Sequence, residues 1–361
     1  MDDLAPTATP PDPAQIEAFA GRLGQALNDA ALVQMCSIGH RTGLFDTLAR
    51  LPPSTSVRIA TAAALDERYV REWLAALVTA RVVSYDPHEQ TYALPAAHAA
   101  CLTRAATPNN IAVTCQMMPL MGAMEDRIID RFRHGGGTCY HEYPRFHEVM
   151  AEDSGQTIVA GLFDGVLPLV DGLQPRLQAG IDVLDAGCGR GHALMAMAAR
   201  YPRSRFAGCD LCEDAIEWAT DESRRRGLQN LRFEVRDLSD FTSPSAFDFI
   251  TTFDAVHDQK DPAGLLAGIA RSLRPGGVYL MQDIAGSSHL ERNLDHPFGT
   301  FIYTVSCMHC MPVSLGQGGA GLGTMWGEEL AVRMLHDAGF PSVERRLRAE
   351  DPLNVYFVAR I

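Results

Sequence analysis

In the second half of the chain, short apolar runs alternate with polar stretches whose apolar positions return with a helical period. Ile181-Asp-Val-Leu-Asp185, Ser204 to Asp210, Leu231 to Arg236, Phe247 to Phe253 and Val278 to Asp283 predict buried strands. Pro262 to Leu273 and Gly327 to Ala338 predict helices, Arg274-Pro-Gly-Gly277 a turn, and Val343 to Leu347 and Leu353 to Ala359 two last strands. Strands alternating with helices predict an α/β domain with a parallel sheet covered on both faces. A ligand then sits outside the carboxyl ends of the strands.

The first half is patterned differently. Residues 1–13 hold Pro6, Pro10, Pro11 and Pro13 among small polar residues and read as a disordered tail. A helix follows from Ala14 to Arg41, ended by Gly43-Leu-Phe45. Val57 to Ala64 and Asp66 to Val78 predict two shorter helices, with Leu65 in the turn and Asp66 as N-cap. Val82 to Pro87 and Gln90 to Leu94 predict a hairpin. Helix, turn, helix and hairpin make a winged helix. The domains expected are the tail, a winged-helix domain over 14–105, a helical connector over 106–154 and the α/β domain over 155–361. The connector carries Met117, Met118, Met121 and Met124, adaptable packing material.

With 361 residues, 47% of them hydrophobic, the chain can bury the cores of about two domains. A formal net charge of −13 without a long basic cluster weighs against nucleic acid or an anionic membrane as partner. No apolar run nears the roughly 20 residues that span a bilayer, and no secretory signal opens the sequence, so a cytoplasmic protein is expected. Nine cysteines read as reduced thiols. Cys209-Asp-Leu-Cys212 and Cys307-Met-His309-Cys310 have spacings a soft metal could use, but neither shows a full ligand set, and packing is the favoured reading.

Chemistry concentrates at Asp185-Ala-Gly187-Cys-Gly189-Arg-Gly191. Glycines belong where the backbone takes positive φ or approaches a ligand, and a helix N-terminus follows. A Walker loop would need Gly-Lys-Ser/Thr, and a dinucleotide turn needs G-x-G-x-x-G. Neither is present. Asp185 would repel a pyrophosphate but suits an ammonium group. Asp210 ends the next strand about twenty residues on, where a carboxylate meets ribose hydroxyls. Asp237-Leu238 ends the third, where an acid and an aliphatic can meet adenine. Over residues 155–361 the chain resembles the class I S-adenosylmethionine-dependent methyltransferases, and Leu-Arg-Pro-Gly-Gly277 before a strand is one of their marks. The resemblance implies a Rossmann-like domain with a seven-stranded, mostly parallel sheet whose final strand is antiparallel. It also implies S-adenosylmethionine as cofactor, held by Asp185, Gly187, Cys188, Gly189, Gly191, Asp210, Leu211, Asp237, Leu238 and Phe253.

The winged helix leaves a DNA-binding regulator open. In its second helix, however, Arg68 and Arg71 alternate with Asp66, Glu67 and Glu72, and Tyr69, Val70, Trp73, Leu74 and Leu77 follow a core-facing period. The arrangement resembles the N-terminal module of plant O-methyltransferases and bacterial relatives, which implies a homodimer. His257 is the candidate general base and Asp258 its orienting partner; the pair resembles the base-bearing segment of plant-type enzymes, although Gln259 replaces the usual aromatic. His257 packing against the cofactor or capping the next helix is the other reading. His134, His141 and His147 stand in a glycine- and aromatic-rich loop, with substrate contact, metal binding and plain surface placement all open. The long insertion from Ile284 to Met325 is expected to act as an acceptor-binding loop, with Phe298, Phe301, Tyr303, Met308, His309, Met311 and Trp326 around a pocket. His141, Tyr303, His309 and Trp326 are the substrate-binding candidates. The expectation is methyl transfer to oxygen or nitrogen of a small molecule; the alternatives are an S-adenosylmethionine-sensing regulator and a non-catalytic binding subunit.

Overall fold

The computed structural model describes residues 11–361. The first ten residues of the expected tail lie outside them. The chain divides into two compact units, one ending at Pro119 and the other spanning Leu120–Ile361. The segment read as a single connector is thereby shared between them.

The first unit opens with a 30-residue helix, Pro13–Thr42, whose N-terminus is capped by the Asp12 carboxylate accepting from the Ala14 N–H at 2.9 Å. Gly43 ends it at φ 71°, a left-handed conformation a side chain would strain. Gly43-Leu-Phe45, expected only to end that helix, starts another, Leu44–Arg50. The Gly43 kink turns Leu44, Phe45 and Leu48 inward, and their burial extends the helix. Helices Ser56–Ala63 and Glu67–Thr79 follow, the second capped by Asp66, and Ser84–Asp86 pairs antiparallel with Thr91–Ala93. Phe45, Ile59, Val70, Trp73, Leu74 and Leu77 form the core, and the Trp73 indole N–H donates to the Met35 carbonyl at 2.9 Å. On the exposed face of the Glu67–Thr79 helix, Arg68 pairs with Glu72 and Arg71 with Glu67, so its cations are neutralised on their own helix.

The second unit is built on a seven-stranded sheet. Its strands are β1 (Asp182–Ala186), β2 (Arg205–Asp210), β3 (Leu231–Val235), β4 (Phe247–Phe253), β5 (Leu273–Ile284), β6 (Ser342–Arg348) and β7 (Asp351–Arg360). They lie in the order β3-β2-β1-β4-β5-β7-β6. The first five strands run parallel and β7 is antiparallel to both neighbours. Successive side chains point to opposite faces. Leu184, Ile250 and Tyr279 therefore join Leu266 and Leu335 in one layer. Val183, Phe249 and Leu280 join Leu177 and Leu194 in the other.

Two local expectations are corrected. The Arg274–Gly277 turn is carried inside β5 as an irregularity: Leu273 pairs with Phe247, Val278 with Phe249, and Gly276 at φ 76° absorbs the extra residues. The insertion is not a loop but largely helical over Gly299–Val305, Ser306–Cys310 and Met311–Gly316, with a wide π turn in the middle. Its helix is buried at Ile302, Val305, Cys310 and Val313. Apolar side chains at that spacing gain more from one packed face than from a loop.

Helix Pro262–Ser272 lies so close to its neighbour that a Cβ on Gly268 would stand 1.8 Å from the Phe241 carbonyl oxygen. Gly268→Ala should destabilise the unit by about 1–3 kcal/mol or more. The midpoint of urea unfolding measures this, and an unchanged midpoint would contradict the contact.

Candidate active site

At the carboxyl ends of β1, β2 and β4 a cavity encloses about 980 Å³ including its open mouth. β1 delivers Asp185 to its floor and then breaks into the glycine turn. Gly187, Gly189 and Gly191 all have positive φ, at 78°, 50° and 66°. A Cβ on Gly187 would meet that of Ala255 at 2.7 Å, and one on Gly191 would run into the Phe233 ring at 2.4 Å. Only glycine fits there. The helix His192–Arg200 starts directly after, so its first N–H groups face this region. Asp210, at the end of β2, accepts from the Gly189 N–H at 2.8 Å and from the Cys212 N–H at 2.9 Å, clamping the turn to the neighbouring strand. Asp185 is buried and accepts from Thr251 Oγ1 at 2.8 Å. Burial, reinforced by the charge of Asp210 and opposed by the Thr251 bond, pushes its carboxyl up to about 7.

Asp185, Gly187, Cys188, Gly189, Gly191, Asp210, Leu211, Leu238 and Phe253 all line this cavity. Asp237 does not. Its exposed carboxylate turns back to accept from the Ser239 N–H at 2.9 Å, the local bond an Asp after a strand readily makes. Tyr140, His147, Met150, Asp254 and Gln259 also line the cavity and were not singled out for it.

Beside the cavity, His257 is buried at 1% exposure and its Nδ1 lies 2.8 Å from Asp283 Oδ1. The expected partner Asp258 is engaged elsewhere, accepting from the Tyr140 hydroxyl at 2.6 Å. The orienting acid is therefore Asp283. The sheet register explains the exchange: Phe253 pairs with Gln282, so the residues that follow, Asp254 and Asp283, leave adjacent strand ends together. Burial works against a charged His257, but the Asp283 carboxylate, the Cys310 sulfur and their hydrogen bonds outweigh it and hold the imidazole well above its ordinary value. Asp254 takes φ 53°, unusual for a non-glycine residue, and burial pushes its carboxyl up to about 7 against the opposing charge of His257. Burial likewise lifts Asp258 to about 6.

Residues 30–104 match the family described as "Rv2258c-like winged HTH domain", and residues 177–335 match the family described as "Methyltransferase domain". The chain thus joins a winged helix-turn-helix domain to a methyltransferase domain. Among curated relatives, the nocamycin O-methyltransferase of Saccharothrix syringae is 34% identical over 111 residues, covering 30% of this chain and 39% of that protein. The chain spans about two fifths of the length of the curated relatives it matches. Among solved structures, the mitomycin 7-O-methyltransferase MmcR superposes with a TM-score of 0.69 at 19% identity, covering 97% of this chain and 100% of that one. Human N-acetylserotonin methyltransferase in complex with SAM gives 0.67 at 16% identity over 98% and 99%. These two structures share the fold.

Within the second unit the expected substrate residues do not converge. His141 is exposed on a groove next to the cavity. Tyr303 lines a different, apolar groove with Ile128 and Phe132 and accepts from Asn293 Nδ2 at 3.1 Å. His309 is buried, stacked on Phe146 at 4.1 Å between centroids and edge-on to Tyr143 at 4.6 Å. Burial and the charges of His257 and His147 push it down to about 3. Trp326 is a core residue at 5% exposure, packed in the layer with Ala331 and Leu335. The large ring fills core volume and is absent from the lining of the cavity.

Asp185 supplies a direct stability test. Its folded value lies above the usual carboxylate range, so the native state binds a proton the unfolded chain releases, and stability falls as pH rises from about 4 to about 7. At about 1.4 kcal/mol per pKa unit, the cost above pH 7 reaches a few kcal/mol. Asp185→Asn should therefore melt higher than the parent at pH 8, with the gap closing toward pH 5. Parallel melting curves at all pH values would refute the buried, uncompensated carboxylate.

Proposed function

We propose that this protein transfers a methyl group from S-adenosylmethionine to an oxygen or nitrogen of a small-molecule acceptor. The observation that carries the reading is the rim of carboxyl groups, Asp185 and Asp258 buried and Asp210 and Asp254 half-buried, around a glycine-lined cavity beside the His257–Asp283 pair. One imidazole, His257, cannot balance four acids, and the surplus negative charge calls for a positively charged ligand. The glycine turn, where a Cβ would intrude, gives a flat nucleoside room to lie against backbone. The cavity thus fits the cofactor: Asp185 would receive its ammonium, Asp210 its ribose hydroxyls, and Leu211 and Leu238 its adenine faces. When bound, the cofactor supplies an electrophilic methyl carbon on a cationic sulfur.

The protein's own work is positioning, exclusion of water and proton removal. Tyr140, hydrogen-bonded to Asp258, closes one wall of the cavity. The Asp283 bond holds the His257 ring by Nδ1, and for the imidazole to take a proton from the acceptor its other nitrogen must exchange the Cys310 sulfur for the acceptor atom. A His257 held above its ordinary value must first lose its proton to act as base.

We extend the reading to a homodimer in the cytoplasm. The first helix supports the dimer: residues 11–31 are all exposed, and Ile16, Phe19, Leu23 and Leu27 form one apolar stripe along it, the kind of face a second copy covers. No helix among the described residues is long and apolar enough to cross a membrane. The self-paired arginines of the Glu67–Thr79 helix and the net charge of −13 disfavour the regulator.

Incubation with isotopically labelled S-adenosylmethionine and pooled small phenols, acids and amines, followed by mass spectrometry, should reveal a labelled product; calorimetry showing no cofactor binding would sink the proposal. With an acceptor in hand, kcat/KM should rise with pH through a value above 6.5, as neutral His257 appears. Asp283→Asn should move that rise to lower pH and lower kcat, and His257→Ala should cost about 100-fold or more. A pH profile that Asp283→Asn leaves unmoved would remove His257 as the base.

A further inference from the structure

We propose that His147, Cys212 and Asp214 form a site for a borderline-soft divalent cation of the zinc class, in the groove next to the cofactor cavity. This goes beyond methyl transfer and does not depend on it.

One ligand atom from each of these residues lies within 4.8 Å of the other two. His147 Nε2 and Asp214 Oδ1 are 3.7 Å apart, too far for a hydrogen bond. That separation is close to the edge of a tetrahedron with bonds of about 2.0–2.2 Å, roughly 3.4 Å. A nitrogen, a sulfur and an oxygen donor are the mixture such an ion takes, with a fourth position left open. That position faces a groove of about 1700 Å³ including open solvent.

The donors are carried on ordered elements. Cys212 is the N-cap residue of the helix Glu213–Arg225, and its N–H is held by Asp210 at 2.9 Å. Asp214 lies in the first turn of that helix, and His147 in the first turn of the helix Phe146–Ser154. Burial and the charges of Asp210 and Asp214 push the Cys212 thiol up, so its proton leaves only when a cation takes its place; the resulting thiolate and the Asp214 carboxylate then balance a doubly charged ion. The charged neighbours are mixed, with Arg190 close enough for its charge to lower His147 while Asp210 and Asp214 act in the opposite sense. Arg145 is tied to Glu148 at 2.5 Å, Arg190 lies over the Trp218 ring at 4.9 Å, and Glu213 and Glu217 line the same groove. Burial lowers the His147 imidazole, keeping it neutral and ready to donate its lone pair. On binding, the Cys212 thiol gives its proton to solvent and its sulfur becomes a ligand.

The consequence is mechanical. His147 also lines the cofactor cavity, and Cys212 stands two residues beyond Asp210. A cation joining them would tie the Phe146–Ser154 helix to the end of β2 and stiffen one cavity wall.

The test is a titration of the full chain, freed of metal with a chelator, with Co²⁺ and then Zn²⁺ as competitor. One equivalent of Co²⁺ should give a thiolate-to-cobalt charge-transfer band that Zn²⁺ removes. Cys212→Ser should abolish the band, His147→Gln and Asp214→Asn should weaken binding by about tenfold or more, and Cys209→Ser and Cys307→Ser should retain it. Zn²⁺ should raise the melting temperature of the parent and not of Cys212→Ser. A band that survives Cys212→Ser, full affinity in both His147→Gln and Asp214→Asn, or no saturable binding would each overturn the site. Because neither cofactor nor acceptor is present, failure here leaves the methyl-transfer reading untouched, and calorimetry with S-adenosylmethionine on the same sample tests that reading separately.

Discussion

The second unit is organised around the cost of holding carboxyl groups out of water. Asp185, Asp254 and Asp258 stand at the ends of parallel strands or just beyond them, and burial lifts each well above the ordinary carboxylate range. Asp210 is the exception in kind: both its oxygens accept backbone N–H groups, so it acts as a brace for the glycine turn as well as a member of the rim. Such acids are tolerated because sheet and helices determine the backbone around them independently, through two apolar layers that close on either face. The rim is therefore the electrostatically costly part of a stable scaffold, and a positively charged ligand there would lower that cost.

The same constraint shapes the surroundings of the rim. Tyr140 comes from the segment after three consecutive glycines and finds its partner in Asp258, 118 residues away. That segment is held from behind, where the Thr138 N–H donates to the Pro312 carbonyl at 2.9 Å and Gly137 and Gly316 approach so closely that a Cβ on either would collide with backbone. The helix built from the insertion thus acts as the anvil for the cavity wall. His309, Phe146 and Tyr143 form an aromatic cluster beside it, which brings the insertion and the histidine-rich segment together.

Legibility followed the range of the interaction. The helix cap at Asp66, the left-handed glycines of the turn and the alternation of β1 to β5 are set by neighbours a few residues away, and they were readable as such. Asp258 was expected to orient His257 because it is adjacent in sequence, yet the partner is Asp283, 26 residues on. Only the pairing of β4 with β5 brings the two together, although an acid closing the fifth strand was a signal available to be read. Asp237 was placed by analogy with the other strand ends. A local bond to Ser239 was the stronger attraction.

By itself the sequence determined the strands of the sheet and the helices at Pro262 and Gly327, where the backbone must be glycine, and that acids would stand along one sheet edge, because period, caps and steric limits act within a few residues. Tertiary structure alone decided which acid meets His257, that Trp326 fills core, that the middle of the insertion is a helix, and which side chains from distant segments share a wall. Those outcomes depend on strand register and on competition for buried volume, and neither is fixed until the whole sheet has closed.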